Sequence, residues 1–264
     1  MEDVLTELPP PSRFFLEDLN NFTPPAPPLP SPFTSLSHPN SKTALRPSLL
    51  IIAISTPSLY LLHHISPKTL IGTLVLPEIP SSGNSVDPSL KDKSCNLYTI
   101  NHGNKSVILA NFQYAVSSER AHAIAKTLIG EHIIPERVLI LDSVQSRNFR
   151  GRISTDDTFA MKLETSVERN GVPLLKNVKY FPSGSVVEGL GAALLGRCQM
   201  KNIKATLCVS WPESGGSVMS VVKGLLLKDV LCGVEVRIDA NGEDEGLRNR
   251  ADKIMFPFCN ICTI

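Results

Sequence analysis

The chain has 264 residues, of which 42% are hydrophobic and 19% charged, and its formal net charge is +1. That is enough for one large domain with a packed core, and it excludes wholesale disorder. The near-neutral charge argues against a nucleic-acid binder held by bulk electrostatics, and the longest purely aliphatic run, 49–54, is far short of the roughly 20 residues that a membrane span needs.

The chain opens on Met1-Glu2-Asp3, an acidic start without the basic and apolar stretches of a secretory signal. Its six cysteines are scattered, so the expectation is a reduced chain in the cytoplasm or also the nucleus. Ten of the 21 prolines fall in the first 40 residues, with five acids against one base, Arg13. Proline fixes φ and removes a donor, so 23–30 cannot join a helix or a central strand. Residues 1–45 therefore read as a disordered, Pro-rich arm, with 46–235 as the folded body and 236–264 as a flexible tail. Phe14, Phe15 and Leu16 form either a short docking motif or, more simply, part of a solvated arm. The two ends are acidic, and the body between them is basic.

In the body, 48–54 is a short apolar run rich in β-branched residues, the mark of a buried strand. Residues 72–76 read the same way, and 79–94 form a polar loop with Pro80, Gly83 and Pro88. Two strands, 96–100 and 106–112, flank a turn at 101–104. Ala121, Ile124, Ala125 and Leu128 mark one face of a helix over 118–133, with Ser117 or Ser118 at its start. A strand at 138–141, a helix over 184–200 and a strand at 205–211 follow, and then a helix faced by Val218, Val221, Val222 and Leu225. Strands alternating with amphipathic helices predict one three-layer α/β domain, a mixed sheet with helices on both faces.

No catalytic constellation stands out. Gly184, Gly189, Gly191 and Gly196 lack the third glycine of a dinucleotide loop and the Gly-Lys of a Walker loop, so close helix packing explains them better. His122 and His132 are too far apart for a zinc helix. There is no Gly-x-Ser-x-Gly elbow. Asp156-Asp157 reads as a solvated pair, and Cys259-x-x-Cys262 lacks a second ligand pair. No metal or cofactor is expected. The most informative segment is 142–152, which follows a strand directly, where loops carry function. Arg147, Arg150 and Arg152 surround Phe149. An RNA base stacked on Phe149 is one reading; a protein partner with an acidic face is at least as good.

Four stretches carry a family resemblance: 46–53, 135–151, 180–187 and 195–203, continued by Trp211-Pro212-Glu213. They resemble the plant form of proteasome assembly chaperone 1, whose members also share the proline-rich arm. The resemblance runs to about residue 232. It implies a non-catalytic α/β chaperone that forms a heterodimer with a chaperone-2-like subunit, holds the α-subunits of the 20S proteasome during ring closure and prevents off-pathway α-ring dimerisation. It implies no nucleic acid and no membrane partner. Family members usually end in hydrophobic-Tyr-X, a tail that docks between α-subunits. This chain has Cys262-Thr263-Ile264 there, without the tyrosine. The same sheet also resembles nucleoside phosphorylases and hydrolases, so an α/β enzyme is the alternative; fold alone does not carry it.

Overall fold

The computed structural model describes residues 29–37, 44–79, 93–102, 105–130, 132–154 and 156–234. Among these, nine strands pair into one mixed sheet. In chain order they are β1 (Phe33–Leu36), β2 (Leu49–Ala53), β3 (Thr69–Val75), β4 (Cys95–His102), β5 (Lys105–Phe112), β6 (Arg137–Ser143), β7 (Phe159–Glu164), β8 (Lys179–Tyr180) and β9 (Lys204–Trp211). Across the sheet the order is β1-β3-β4-β5-β2-β6-β9-β7-β8. The centre, β5-β2-β6-β9, is parallel. Antiparallel β4, β3 and β1 extend one side. On the other, β7 runs antiparallel to β9 and β8 parallel to β7.

Among the described residues, five helices accompany the sheet: α1 (Thr56–His63), α2 (Ser118–Leu128), α3 (Ser166–Arg169), α4 (Gly189–Met200) and α5 (Gly216–Leu225), the last running into a π turn at 226–230. Side chains alternate across a strand, so a strand covered on both faces is apolar throughout. Leu50 and Ile52 of β2, Val138 and Ile140 of β6, and Leu207 and Val209 of β9 join Ile124 and Leu128 of α2 and Leu190 and Leu194 of α4 in one core. Leu49 and Ile51, Leu139 and Leu141, and Cys208 face the other way, onto Leu59 and Leu62 of α1 and Val218 and Val222 of α5. Burying one such side chain fully is worth about 1.5–3 kcal/mol, and the two cores place it on both faces. This is the three-layer α/β domain expected from the sequence. No helix among the described residues is long and apolar enough to cross a membrane.

Several boundaries differ from those expected. Phe33–Leu36, assigned to the arm, forms the edge strand β1, with Phe33 opposite Val75 and Leu36 opposite Gly72. An edge is where a strand next to prolines can sit, because one side of its ladder stays open. The second helix stops at Leu128 and the fourth starts at Gly189, so exposed Val186 lies outside the helix, although the sequence expects one over 184–200. Ser117 occupies the N-cap of α2 without a side-chain bond to the helix. Helix α1 and strands β7 and β8 had no counterpart in the sequence reading. Lys68 closes the end of α1, donating to the carbonyls of Leu62 and His63, as a cation at a helix C-terminus should. Burial lowers its pKa to about 8. Helix α3 is tied down by buried Glu168, which meets Arg137 Nε at 3.0 Å and accepts from the Leu174 amide at 2.9 Å.

Candidate functional surface

The parallel strands β6 and β9 end side by side, and the loop 142–152 leaves from the end of β6. After a 3-10 turn at Ser146–Asn148, the loop lies against the segment that leads into α4. Four hydrogen bonds fasten the two together. The Val186 amide donates to Asn148 O at 2.8 Å, and the Arg150 amide donates to Ser185 Oγ at 2.7 Å. Asn148 Nδ2 and Arg147 Nη2 both donate to Glu188 Oε1, at 2.8 and 3.2 Å. These bonds, Asn148's first and Arg147's second, hold the Glu188 carboxyl below the ordinary carboxylate range.

Phe149 turns inward. Its ring lies 5.3 Å from that of Phe159 and 5.8 Å from that of Phe181, in tilted and edge-on contacts. It anchors the loop, so the ring that the RNA reading would use for stacking is engaged with Phe159 and Phe181. Arg147 is engaged with Glu188. Arg150 and Arg152 are exposed and have no ion pair among the described residues. Gly184 explains how Arg150 can cross this segment. Its φ is +87°, and a Cβ there would come within 2.6 Å of Arg150 Cδ, so only glycine suits both the backbone and the close approach. Of the loop residues singled out in the sequence, the structure thus groups Arg147, Phe149 and Arg150 as a braced unit and leaves Arg152 beyond it. Cys262, Thr263 and Ile264 lie outside the described residues, as does Cys259.

Sequence reasoning missed the partners Ser185 and Glu188. The signal was there: Ser183-Gly184-Ser185 is a turn sequence, and Glu188 is the acid just before a glycine-rich helix.

Between the loop and the end of β9 lies an open cleft of about 430 Å³, lined by Gln145, Ser146, Arg147, Trp211 and Glu213. Beneath it, burial pushes the pKa of Asp142 up to about 6; the Ser143 amide, donating at 2.8 Å, opposes the shift and Glu213 adds to it. Gly191 of α4 backs directly onto the Asp142 carboxylate, leaving no room for a side chain. On α4 this is the close packing expected of the helix glycines, but at Gly191 alone: a Cβ at Gly189 or Gly196 would meet nothing within 4 Å. Asp157 Oδ2 accepts from the Ser154 amide at 2.7 Å, closing a turn. No three His, Cys, Asp or Glu side chains among the described residues are grouped to hold a metal. Burial pushes the thiols of Cys198 and Cys208 up to about 12, which makes them poor nucleophiles.

No family model matches the sequence, and no curated protein matches it. Solved structures do. Pyrococcus furiosus PbaA, an archaeal homolog of proteasome-assembly chaperone, aligns at a TM-score of 0.55 and 18% identity, over 84% of this chain and 88% of that one. Pyrococcus furiosus PbaB, an archaeal proteasome activator, aligns at 0.56 and 10%, over 84% and 97%. A protein of unknown function from Thermoplasma acidophilum aligns at 0.56 and 14%, over 80% and 86%. At these identities the likeness is one of fold: the body is built on the same α/β plan as an archaeal homolog of proteasome-assembly chaperone.

Proposed function

We propose that this chain is a non-catalytic chaperone of proteasome assembly. It pairs with a chaperone-2-like subunit, holds the α-subunits of the 20S proteasome as their ring closes and keeps finished rings from pairing off-pathway. It works in the cytoplasm and also in the nucleus. The observation that carries this reading is the fold, shared over 84% of the chain with an archaeal homolog of proteasome-assembly chaperone. The sequence stretches that resemble the assembly chaperones support it, since they include the braced loop and the 180–187 segment on which it lies. The geometry supports a binding role over the enzyme alternative. Asp142 is the one described carboxyl raised to about 6, and it faces a helix backbone.

Pairing with the partner buries apolar surface from the helices and the sheet, and permanent interfaces of this kind commonly bury on the order of 2,000 Å² or more. The test is a native pull-down from an extract of the source organism. Proteasome α-subunits and a chaperone-2-like subunit should come down with the full chain. Recovery of neither partner would overturn the reading.

A further inference from the structure

Behind the braced loop, the segment 181–187 and helix α4 enclose a groove of about 480 Å³. Its walls include apolar Leu163, Phe181, Val187, Leu195 and Leu207 beside polar Thr165, Ser183, Ser185 and Gln199. The α4 wall is made of Ala192, Leu195, Gly196 and Gln199. They sit at i, i+3, i+4 and i+7, one face of the helix, and it is the face turned away from buried Leu190, Leu194 and Cys198. Gly196 is exposed, and a Cβ there would meet nothing within 4 Å. The groove is therefore open along the helix.

The rim has a sign. Gly184 and Ser185 line the groove. Arg150 lies across Gly184, with the ideal Cβ position only 2.6 Å from its Cδ, and its amide is fixed by Ser185 Oγ at 2.7 Å. The neighbouring acids are already satisfied. Glu188 is held by Arg147 and Asn148. Glu164, whose strand end borders the groove, is paired with Lys162 and accepts from the Tyr180 hydroxyl at 2.6 Å. Arg150 has no carboxylate partner among the described residues.

We infer that this groove binds an extended segment of a partner protein in which apolar and acidic side chains alternate. In an extended peptide successive side chains point to opposite sides. The apolar ones then enter the groove, while an acidic one at the rim makes a charge-assisted, two-pronged contact with the Arg150 guanidinium. The groove volume suits two or three side chains, which makes the occupant a short linear segment. This inference goes beyond the chaperone reading and stands without it, because it rests on the groove and its unpaired cation alone.

The test uses the purified full-length chain without any partner. A fluorescein-labelled, amidated hexapeptide alternating leucine and aspartate is titrated by fluorescence anisotropy, beside its leucine–lysine counterpart. The aspartate peptide should bind saturably and the lysine peptide should not. Arg150→Ala should weaken binding about tenfold or more, the scale of one lost charge-assisted contact. Raising salt to about 1 M, where the Debye length is about 3 Å, should weaken the parent and leave Arg150→Ala nearly unchanged. Gly196→Leu should abolish binding by filling the groove, with a melting temperature no lower than that of the parent, since the position is open. Equal binding of the two peptides, no saturable binding, or binding that ignores both substitutions would overturn the inference. Each of these results leaves the pull-down with α-subunits to be decided separately.

Discussion

Lys162 and Glu164 stand two residues apart on β7 and therefore share a face. Both side chains are closed to solvent, at 4% and 0% exposure. The ammonium lies 2.7 Å from Glu164 Oε1 and donates to Leu175 O at 2.7 Å, and the second carboxylate oxygen accepts from Tyr180. Lys162→Met keeps most of the packed stem and removes the charge, so a buried carboxylate is left with one neutral donor. Breaking a buried pair from one side costs about 3–5 kcal/mol. In a domain of this size each kcal/mol is worth roughly 2–4 °C, so the melting temperature should fall by about 6–20 °C. Glu164→Leu added to Lys162→Met removes the stranded charge, and the double variant should recover most of the loss, because a well-packed apolar pair is often as good as a buried ion pair. Urea unfolding of the parent, both single variants and the double variant gives the coupling directly. A coupling of about 2 kcal/mol or more is expected on this argument. Additive losses, each under about 1 kcal/mol, are what an exposed pair would give, and that result would refute the reasoning.

Asp142 yields a pH prediction. Its folded pKa, about 6, is above the ordinary 3.8, so the folded state binds the extra proton and stability falls as pH rises between the two values. The loss is complete above pH 6 and amounts to at most about 3 kcal/mol. Asp142→Asn should flatten that slope and raise stability at pH 8 but not at pH 3.5, as read by thermal melts across pH. Two glycines of α4 should respond in opposite directions. Gly191→Ala forces a methyl onto the Asp142 carboxylate and should cost about 1–3 kcal/mol, whereas Gly196→Ala enters open space and should gain about 0.5–1 kcal/mol; equal effects in urea unfolding would contradict the packing. In the braced loop, Phe149→Ala removes a half-buried ring from two aromatic neighbours and should cost about 2 kcal/mol, while Arg147→Ala at the exposed Glu188 pair should cost less than about 1 kcal/mol. The reverse ranking would mean that charge, not the ring, seats the loop.

What the sequence showed plainly was the centre of the sheet. β2, β6 and β9 are covered on both faces, and their apolar runs say so without any need of periodicity. β7 escaped because its alternation, Met161-Lys162-Leu163-Glu164, is short and puts Lys162 and Glu164 on the face that a sequence reading gives to solvent, and nothing in the sequence states that they neutralise one another inside the fold. Helix α1 escaped for the opposite reason. Pro57, Ser58, Leu59, Tyr60, Leu61 and Leu62 are all buried, so the segment shows no polar stripe from which a period of 3.6 could be read. The fourth helix is shorter than 184–200 because Gly184 and Gly189, both at positive φ, hold the chain in a loop until Gly189, and a glycine by itself does not tell a helix start from a packed helix position. The arginine loop was visible as a cluster of charge. That its phenylalanine points inward depends on Phe159 and Phe181, which are distant in sequence and meet it only in the folded sheet.

In an open α/β sheet, ligands usually enter at the carboxyl ends of the parallel strands. Here several of the polar groups at those ends are spent on one another. Ser55 and Ser58 share a hydrogen bond at 2.9 Å, and Ser58 also donates to Ser55 O at 2.7 Å. Ser210 Oγ donates to Asp142 O at 3.3 Å, and Asp142 itself accepts from the next amide in the chain. A site built for catalysis would aim such groups at a common point outside the strands. In this chain these serines and Asp142 bond among themselves, and the loop above them, pinned by Phe149 and by Ser185 and Glu188, presents Arg150 and Arg152 outward. On the proposed reading of the chain as a binding protein, the recognising chemistry sits on that loop and along α4.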